Sequence, residues 1–106
     1  MKVRSIILVL CVALAAVPAL YAAPNGLDLY KARCAMCHGA TGQADTPMAK
    51  KLGVKNLSSP DVQKQTDAQL TQTITKGKGK MPPFGTKLDA DDVKALVGQI
   101  RTFAGK

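Results

Sequence analysis

The feature that most constrains this chain is the pentapeptide Cys34-Ala35-Met36-Cys37-His38, which has the spacing C-x-x-C-H. Two thiols separated by two residues can add to the two vinyl groups of one haem, and a histidine directly after them can offer an imidazole nitrogen to the iron. His38 is the single histidine of the 106-residue sequence. The pentapeptide therefore predicts one haem c, attached covalently through Cys34 and Cys37, with His38 as an axial ligand of the iron.

Three other interpretations of this motif have to be weighed. A structural zinc site takes four ligands, usually as two separated pairs, and no second pair follows in the sequence. A thioredoxin-like redox motif requires a preceding strand in a βαβ unit, and nothing upstream has the pattern of a buried strand. A disulfide between Cys34 and Cys37 is the plain structural alternative. Haem attachment is favoured over all three.

The N-terminal segment has the layout of a secretory signal peptide. A basic start precedes an apolar run at 6–16, Pro18 interrupts it, and small residues follow. We expect residues 1–22 to be a signal peptide with cleavage near Ala22 or Ala23, and residues 23–106 to form one domain. An uncleaved membrane anchor is the alternative, because residues 6–23 carry no charge. Cleavage would leave an exported protein in the bacterial periplasm, without stable membrane insertion.

The periodicity of the sequence predicts an all-α fold. Residues 26–33 form a short helix that runs into the haem motif. A second helix begins with a capping box of Thr66 and Gln69 and ends at Gly77. A third has Asp89 as its N-cap and carries an apolar stripe from Val93 to Phe103. Residues 39–47 have the composition of a loop, 48–54 are expected to hold about one helical turn, and 61–65 are ambiguous.

A second axial ligand is expected from a methionine. Met36 lies between the two cysteines. Met48 follows His38 by only about ten residues, which leaves little chain to pass round the haem edge. Met81 lies 43 residues after His38 on a loop stiffened by two prolines. We expect Met81 to ligate the iron, with Met48 or an open sixth position as the alternatives. A thioether is a soft ligand that stabilises ferrous iron, so it raises the reduction potential relative to a second imidazole.

Pro47 is a candidate for supporting His38. A ligating histidine commonly donates its other ring N–H to a fixed acceptor, and a backbone carbonyl near Pro47 is one candidate for that acceptor. The alternative is an ordinary turn proline.

The charge pattern predicts a docking surface. The chain has 15 cationic and 7 acidic residues; without the two cations of the signal peptide, 13 against 7 gives +6. Three lysines alternate just before Met81, and another cation stands next to Cys34. We expect them to form a basic face for acidic redox partner proteins, the alternative being a solvated lysine loop. The cations of this predicted basic face are Arg33, Lys76, Lys78 and Lys80. Nucleic acid is not an expected partner, because no nucleic-acid motif is present.

Together, Cys34-x-x-Cys37-His38 and Lys80-Met81-Pro82 resemble the class I monohaem cytochromes c of the short bacterial type, related to the c6-like carriers. The resemblance covers residues 26–103. It implies three to four short helices wrapped around one covalently bound haem, with the first and last helices crossing near Gly26. It also implies His38 and Met81 as axial ligands. Two departures from the family are Gln99, where an aromatic is usual, and the absence of tryptophan.

The resemblance implies a monomeric electron-transfer protein rather than an enzyme, passing single electrons. Two alternatives stay open. The chain can be the haem-bearing subunit of a larger oxidoreductase, or a haem catalyst or gas sensor with a labile sixth position. Propionate-binding residues are not determined by the sequence; Arg33, Lys55 and Asn56 are candidates.

Overall fold

Two helices from opposite ends of the described chain cross each other and organise the fold. The computed structural model describes residues 24–106. Within that range the fold is all-α, as predicted, with one isolated bridge between Lys78 and Met81 in place of any sheet. The predicted signal peptide and its cleavage site lie outside the described residues. The helices are α1 Gly26–Arg33, α2 Ala35–His38, α3 Pro47–Leu52, α4 Pro60–Gln63, α5 Asp67–Lys76 and α6 Ala90–Arg101.

The ends of the long helices are fixed by side-chain caps. The predicted capping box of α5 is present: the Thr66 hydroxyl accepts from the Gln69 amide, and the Gln69 side chain accepts from the Thr66 amide. Asp89 caps α6 in the same reciprocal way with Asp92. The last helix ends two residues before Phe103, in a tighter turn of i to i−3 hydrogen bonds. Such 3₁₀-like tightening satisfies amides and carbonyls at a helix end.

The crossing of α1 and α6 depends on a glycine and an aromatic pair. A Cβ atom at Gly26 would collide with the carbonyl oxygen of Ala95, so only glycine lets the two backbones approach this closely. One turn further on, the ring of Tyr30 meets Phe103 edge to face with centroids 4.9 Å apart. Phe103 therefore supplies the aromatic packing that Gln99 lacks, and such a pair contributes about 1 kcal/mol beyond its buried area.

A single apolar cluster joins the helices to the functional segments. Four half-buried side chains pack against it: Leu29, Cys34, Ala35 and Met81. The haem motif and the methionine loop thus share one core although they are distant in sequence. The buried members are Tyr30, Leu57, Val62, Leu70, Ile74, Phe84, Leu88, Val93, Leu96, Val97, Ile100 and Phe103.

The segment between α2 and α5 is more ordered than its composition predicts. Thr46 caps α3, and Pro47 takes the first helical position, where a missing N–H costs nothing. The ambiguous stretch after Pro60 forms the single turn α4 and buries Val62. From residue 24 to the C-terminus, no helix is both long and apolar enough to span a membrane.

Candidate haem-binding site

The haem motif continues directly from α1. The Cys34 amide donates to the Tyr30 carbonyl at 2.8 Å, and the His38 amide donates to the Cys34 carbonyl at 2.9 Å. These bonds close the single turn α2, so both cysteines and the histidine lie within one helical turn. Cys34 and Cys37 are free thiols, and both are half-buried. Two thiols spaced in this way fit the two thioether bonds of one haem.

The His38 ring is oriented by a backbone carbonyl. Its Nδ1 lies 3.4 Å from the carbonyl oxygen of Lys55. Because a carbonyl can only accept, the bond requires the proton on Nδ1 and leaves the Nε2 lone pair for a metal. The acceptor is thus the Lys55 carbonyl and not the candidate carbonyl near Pro47, which is instead the first residue of α3. The 55–58 turn was not singled out as an acceptor, since its composition shows only a turn.

Two side chains whose hydrogen bonds were not predicted from the sequence hold the motif from outside. The buried hydroxyl of Tyr30 donates to the Gly39 carbonyl at 2.6 Å, directly after His38. The Thr46 hydroxyl lies 3.2 Å from the Cys37 carbonyl and accepts from the Ala49 amide at 3.0 Å. Thr46 therefore couples the end of α2 to the start of α3. The dipeptide Thr-Pro was an available N-cap signal for it, whereas nothing local in the sequence marks the bond of Tyr30.

Burial governs the protonation of the groups around the motif. Desolvation, and then the nearby Cys37, raise the pKa of the Cys34 thiol to about 11. Desolvation also lowers the pKa of His38, against the smaller opposing effect of its bond to Lys55. Burial raises the pKa of Tyr30 well above its usual range. The lowered pKa of His38 favours the neutral imidazole that metal ligation requires.

The loop that carries Met81 is ordered by backbone constraints. Lys78 and Met81 exchange two backbone hydrogen bonds of 3.2 and 3.0 Å. At Gly77 the backbone has φ 74°, and a Cβ atom there would lie 2.6 Å from the Met81 carbonyl oxygen. Beyond the prolines, the Phe84 amide donates to the Ile74 carbonyl at 3.0 Å and returns the chain to α5. This tight loop presents Met81 to the core.

The three methionines of the described chain differ in their surroundings. Met36 is 77% exposed and Met48 is 39% exposed, whereas Met81 packs against the apolar cluster. Cys34 packs against the same cluster. Two thiols, an imidazole with a free Nε2 and a thioether are the donor set that a haem c requires, and one of the thiols shares the apolar core with the thioether. In residues 24–106 no three His, Cys, Asp or Glu side chains form a cluster suited to another metal ion.

The cations predicted to form a docking face are exposed. Arg33 is in the last turn of α1, Lys76 is in the last turn of α5, and Lys78 and Lys80 follow on the Met81 loop. The ion pairs found within the described part of the chain join other residues: Lys64 with Asp61, and Arg101 with Asp67.

Comparison with known proteins supplies the family. Residues 22–98 match the family model described as cytochrome c oxidase, cbb3-type, subunit III. The cbb3-type cytochrome c oxidase subunit FixP of Azorhizobium caulinodans is 37% identical over 86 residues, 79% of this chain and 28% of FixP. The chain thus spans under a third of FixP.

Two further relatives match over nearly their whole length. Cytochrome c6 of Microcystis aeruginosa is 34% identical over 82 residues, which are 77% of this chain and 98% of that protein. The solved structure of the c-type cytochrome KustC0563 superposes with a TM-score of 0.71 at 34% identity, covering 76% of this chain and 99% of that one. With the all-α fold and the C-x-x-C-H turn, these matches show that the chain belongs to the cytochrome c family, as a small class I monohaem member.

Proposed function

We propose that this protein is a soluble one-electron carrier that holds one haem c through Cys34 and Cys37, with His38 and Met81 as axial ligands. The observation that carries the proposal is the shared core: Cys34 and Met81, 47 residues apart in sequence, pack against the same apolar cluster. Its relatives are cytochromes c, which supports a role in electron transfer rather than catalysis.

The chain's residues each have a part in this function. A bound haem would supply a one-electron ferric/ferrous couple. Cys34 and Cys37 would hold it covalently, and His38 is turned by the Lys55 carbonyl so that Nε2 is available. Met81, held by the glycine-proline loop, would fill the opposite position. Filled axial positions leave little to rearrange when an electron moves, and the apolar cluster excludes water.

The ligand assignment is tested by Met81→Ala, with Met48→Ala as the matched control. We expect Met81→Ala to keep the covalent haem, because both thiols are intact, but to lose the weak red absorption band of methionine ligation and to bind carbon monoxide in the ferrous state. Met48→Ala should behave like the wild type. If Met81→Ala keeps the methionine band and Met48→Ala loses it, the ligand is Met48. If the wild type itself binds carbon monoxide readily, a catalyst or sensor with an open position is indicated.

Export and attachment are tested by the mass of the purified holoprotein. We propose a periplasmic protein cleaved near Ala22 or Ala23, which predicts the mass of the remaining chain plus one haem. A mass that includes residues 1–22 indicates a retained anchor. A mass without haem under denaturing conditions contradicts covalent attachment through Cys34 and Cys37.

We also propose that the exposed cations beside the site bind acidic redox partners. Changing Lys76, Lys78 and Lys80 to glutamine should slow electron transfer to an acidic partner at low salt and leave the absorption spectrum unchanged. The difference should shrink as salt rises, since exposed charges are screened beyond about 10 Å at 0.1 M. Stopped-flow rates across a salt series measure this. The control removes the same charge elsewhere, at Lys64, Lys94 and Lys106; equal slowing by both triple variants would mean that only net charge matters.

A second candidate is a haem-bearing subunit of a larger oxidoreductase. The match to the cbb3-type subunit III model and to FixP favours it. Size-exclusion chromatography of the native protein from its own cells separates the two. A carrier elutes as a monomer of the cleaved chain, whereas a subunit elutes with other polypeptides.

A further inference from the structure

Gln63, at the end of α4, joins two backbone segments that are distant in sequence. Its Nε2 donates to the Leu57 carbonyl at 2.7 Å and to the Ile100 carbonyl, near the end of α6, at 3.0 Å. A carboxamide nitrogen has two hydrogens, so each carbonyl receives one. The half-buried side chain thus ties the turn that follows Lys55 to the C-terminal helix.

The orientation of the Gln63 amide is fixed by Arg101. The guanidinium donates from one nitrogen to the Gln63 carbonyl at 2.8 Å and reaches the Gln63 Oε1 at 3.4 Å. The same side chain pairs with Asp67 at 2.8 Å. Because Oε1 faces a donor and Nε2 faces two acceptors, the reversed amide would leave all three contacts unfavourable.

The turn at 55–58 is short and held at several points. The Leu57 amide donates to the Gly42 carbonyl at 2.7 Å, while its carbonyl accepts from Gln63. Within the turn, the Asn56 Oδ1 accepts from the Ser58 amide at 2.9 Å. Lys55 is exposed and lies just before these anchors, and its carbonyl accepts from His38. The position of that carbonyl therefore depends on how firmly Leu57 is held.

We propose that Gln63 is a positioning residue for the His38 ligand: by tying the Leu57 carbonyl to α6, it fixes the Lys55 carbonyl as the acceptor of the His38 Nδ1–H. This inference rests on the proposed function. A hydrogen bond at Nδ1 makes Nε2 a stronger donor, and a stronger donor favours ferric iron. Gln63 thereby lowers the reduction potential without touching the haem ligands.

The test is the holoprotein variant Gln63→Met, which keeps the side-chain length and removes both donors. The matched control is Gln65→Met, because the Gln65 side chain donates only to the Asp61 carbonyl on the surface, at 3.3 Å. We expect Gln63→Met to shift the ferric/ferrous equilibrium threefold to tenfold toward ferrous, where tenfold corresponds to about 59 mV for one electron. We also expect faster exchange of the His38 Nδ1 proton in the ferrous protein, measured by NMR. The control should show neither change.

Loss of thermal stability with unchanged potential and unchanged proton exchange would overturn the inference and show that Gln63 only stabilises the fold. A second variant, Arg101→Lys, keeps the charge beside Asp67 and removes the planar guanidinium that orients Gln63. We expect a smaller shift of the ferric/ferrous equilibrium in the same direction. If Gln63→Met does not accumulate, this variant decides the question alone. A wild type without covalent haem contradicts the proposed function. A wild type with covalent haem, together with variants whose reduction potential and His38 proton exchange do not change, contradicts only the role of Gln63.

Discussion

The two sides of the candidate site are held by different means. On the histidine side, residues 38–59, side-chain hydrogen bonds from Tyr30, Thr46 and Gln63 add to the backbone bonds and positive-φ glycines of the segment. On the methionine side, no side-chain hydrogen bond involves residues 77–85; backbone bonds and the two positive-φ glycines Gly77 and Gly79 hold the loop. The side chain of Met81 contributes only apolar packing.

This difference predicts different responses to mutation. A side-chain hydrogen bond can be removed alone, at a net cost of about 1 kcal/mol. A glycine in the left-handed region admits no other residue without strain or collision, so changing it affects the whole loop. The three side-chain bonds of the histidine side can therefore be removed one at a time, each with a small loss of stability. The methionine loop has no such side-chain bonds, so we expect a change at its glycines to affect the whole loop.

The largest effect is expected at Gly77. Gly77→Ala should lower the free energy of unfolding by about 2–4 kcal/mol, because it adds left-handed strain to a collision with backbone atoms of Met81 and Pro83. The methionine absorption band should weaken with it. Gly79→Ala is the control: Gly79 has φ 57° but nothing within 4 Å of a Cβ atom, so about 1 kcal/mol of strain is expected. Denaturant unfolding of both holoproteins measures this, and equal losses would contradict the collision.

A smaller effect is expected at Tyr30. Tyr30→Phe keeps the ring against Phe103 and removes the bond to Gly39, so unfolding should become easier by about 1 kcal/mol at neutral pH. Burial raises the pKa of this phenol in the folded state, so its contribution is complete below the unfolded pKa of about 10 and declines as pH rises above it. Denaturant curves from pH 7 to pH 11 should therefore show wild type and variant converging. A constant difference would mean that the phenol ionises equally in both states.

The smallest effect is expected at Ala44, which is a non-glycine residue with φ 54°. Ala44→Gly should raise the free energy of unfolding by about 0.5 kcal/mol, because relief of left-handed strain exceeds the extra entropy of glycine in the unfolded chain. Ala40→Gly, at an exposed position without positive φ, should lower it instead. Thermal unfolding of the two variants gives the sign of each change in the free energy of unfolding. A loss of stability in both variants would mean that Ala44 is unstrained.

Local sequence patterns predicted those parts of the fold whose cause is local. The C-x-x-C-H turn, the capping box of Thr66 with Gln69 and the N-cap at Asp89 each depend on residues within four positions of one another. The crossing of the first and last helices near Gly26 was implied by the resemblance, and the collision of a Cβ atom there with the Ala95 carbonyl agrees with it. The choice of Met81 followed from its distance from His38 and from the prolines beside it. In the fold its side chain is half-buried against the core, and its ligation of iron stays a prediction.

Other features were decided by tertiary structure. The acceptor for His38 is a carbonyl 17 residues away, and any backbone carbonyl is chemically equal to the next. The bond from Gln63 to Ile100 spans 37 residues, and Tyr30 reaches Gly39 only because α1 runs straight into the motif. The sequence by itself determined which atoms are able to bind a haem, because that is set by the chemistry of thiol, imidazole and thioether. Only the folded chain determined which carbonyls orient these groups, because all backbone carbonyls are chemically alike and only packing brings one of them within reach.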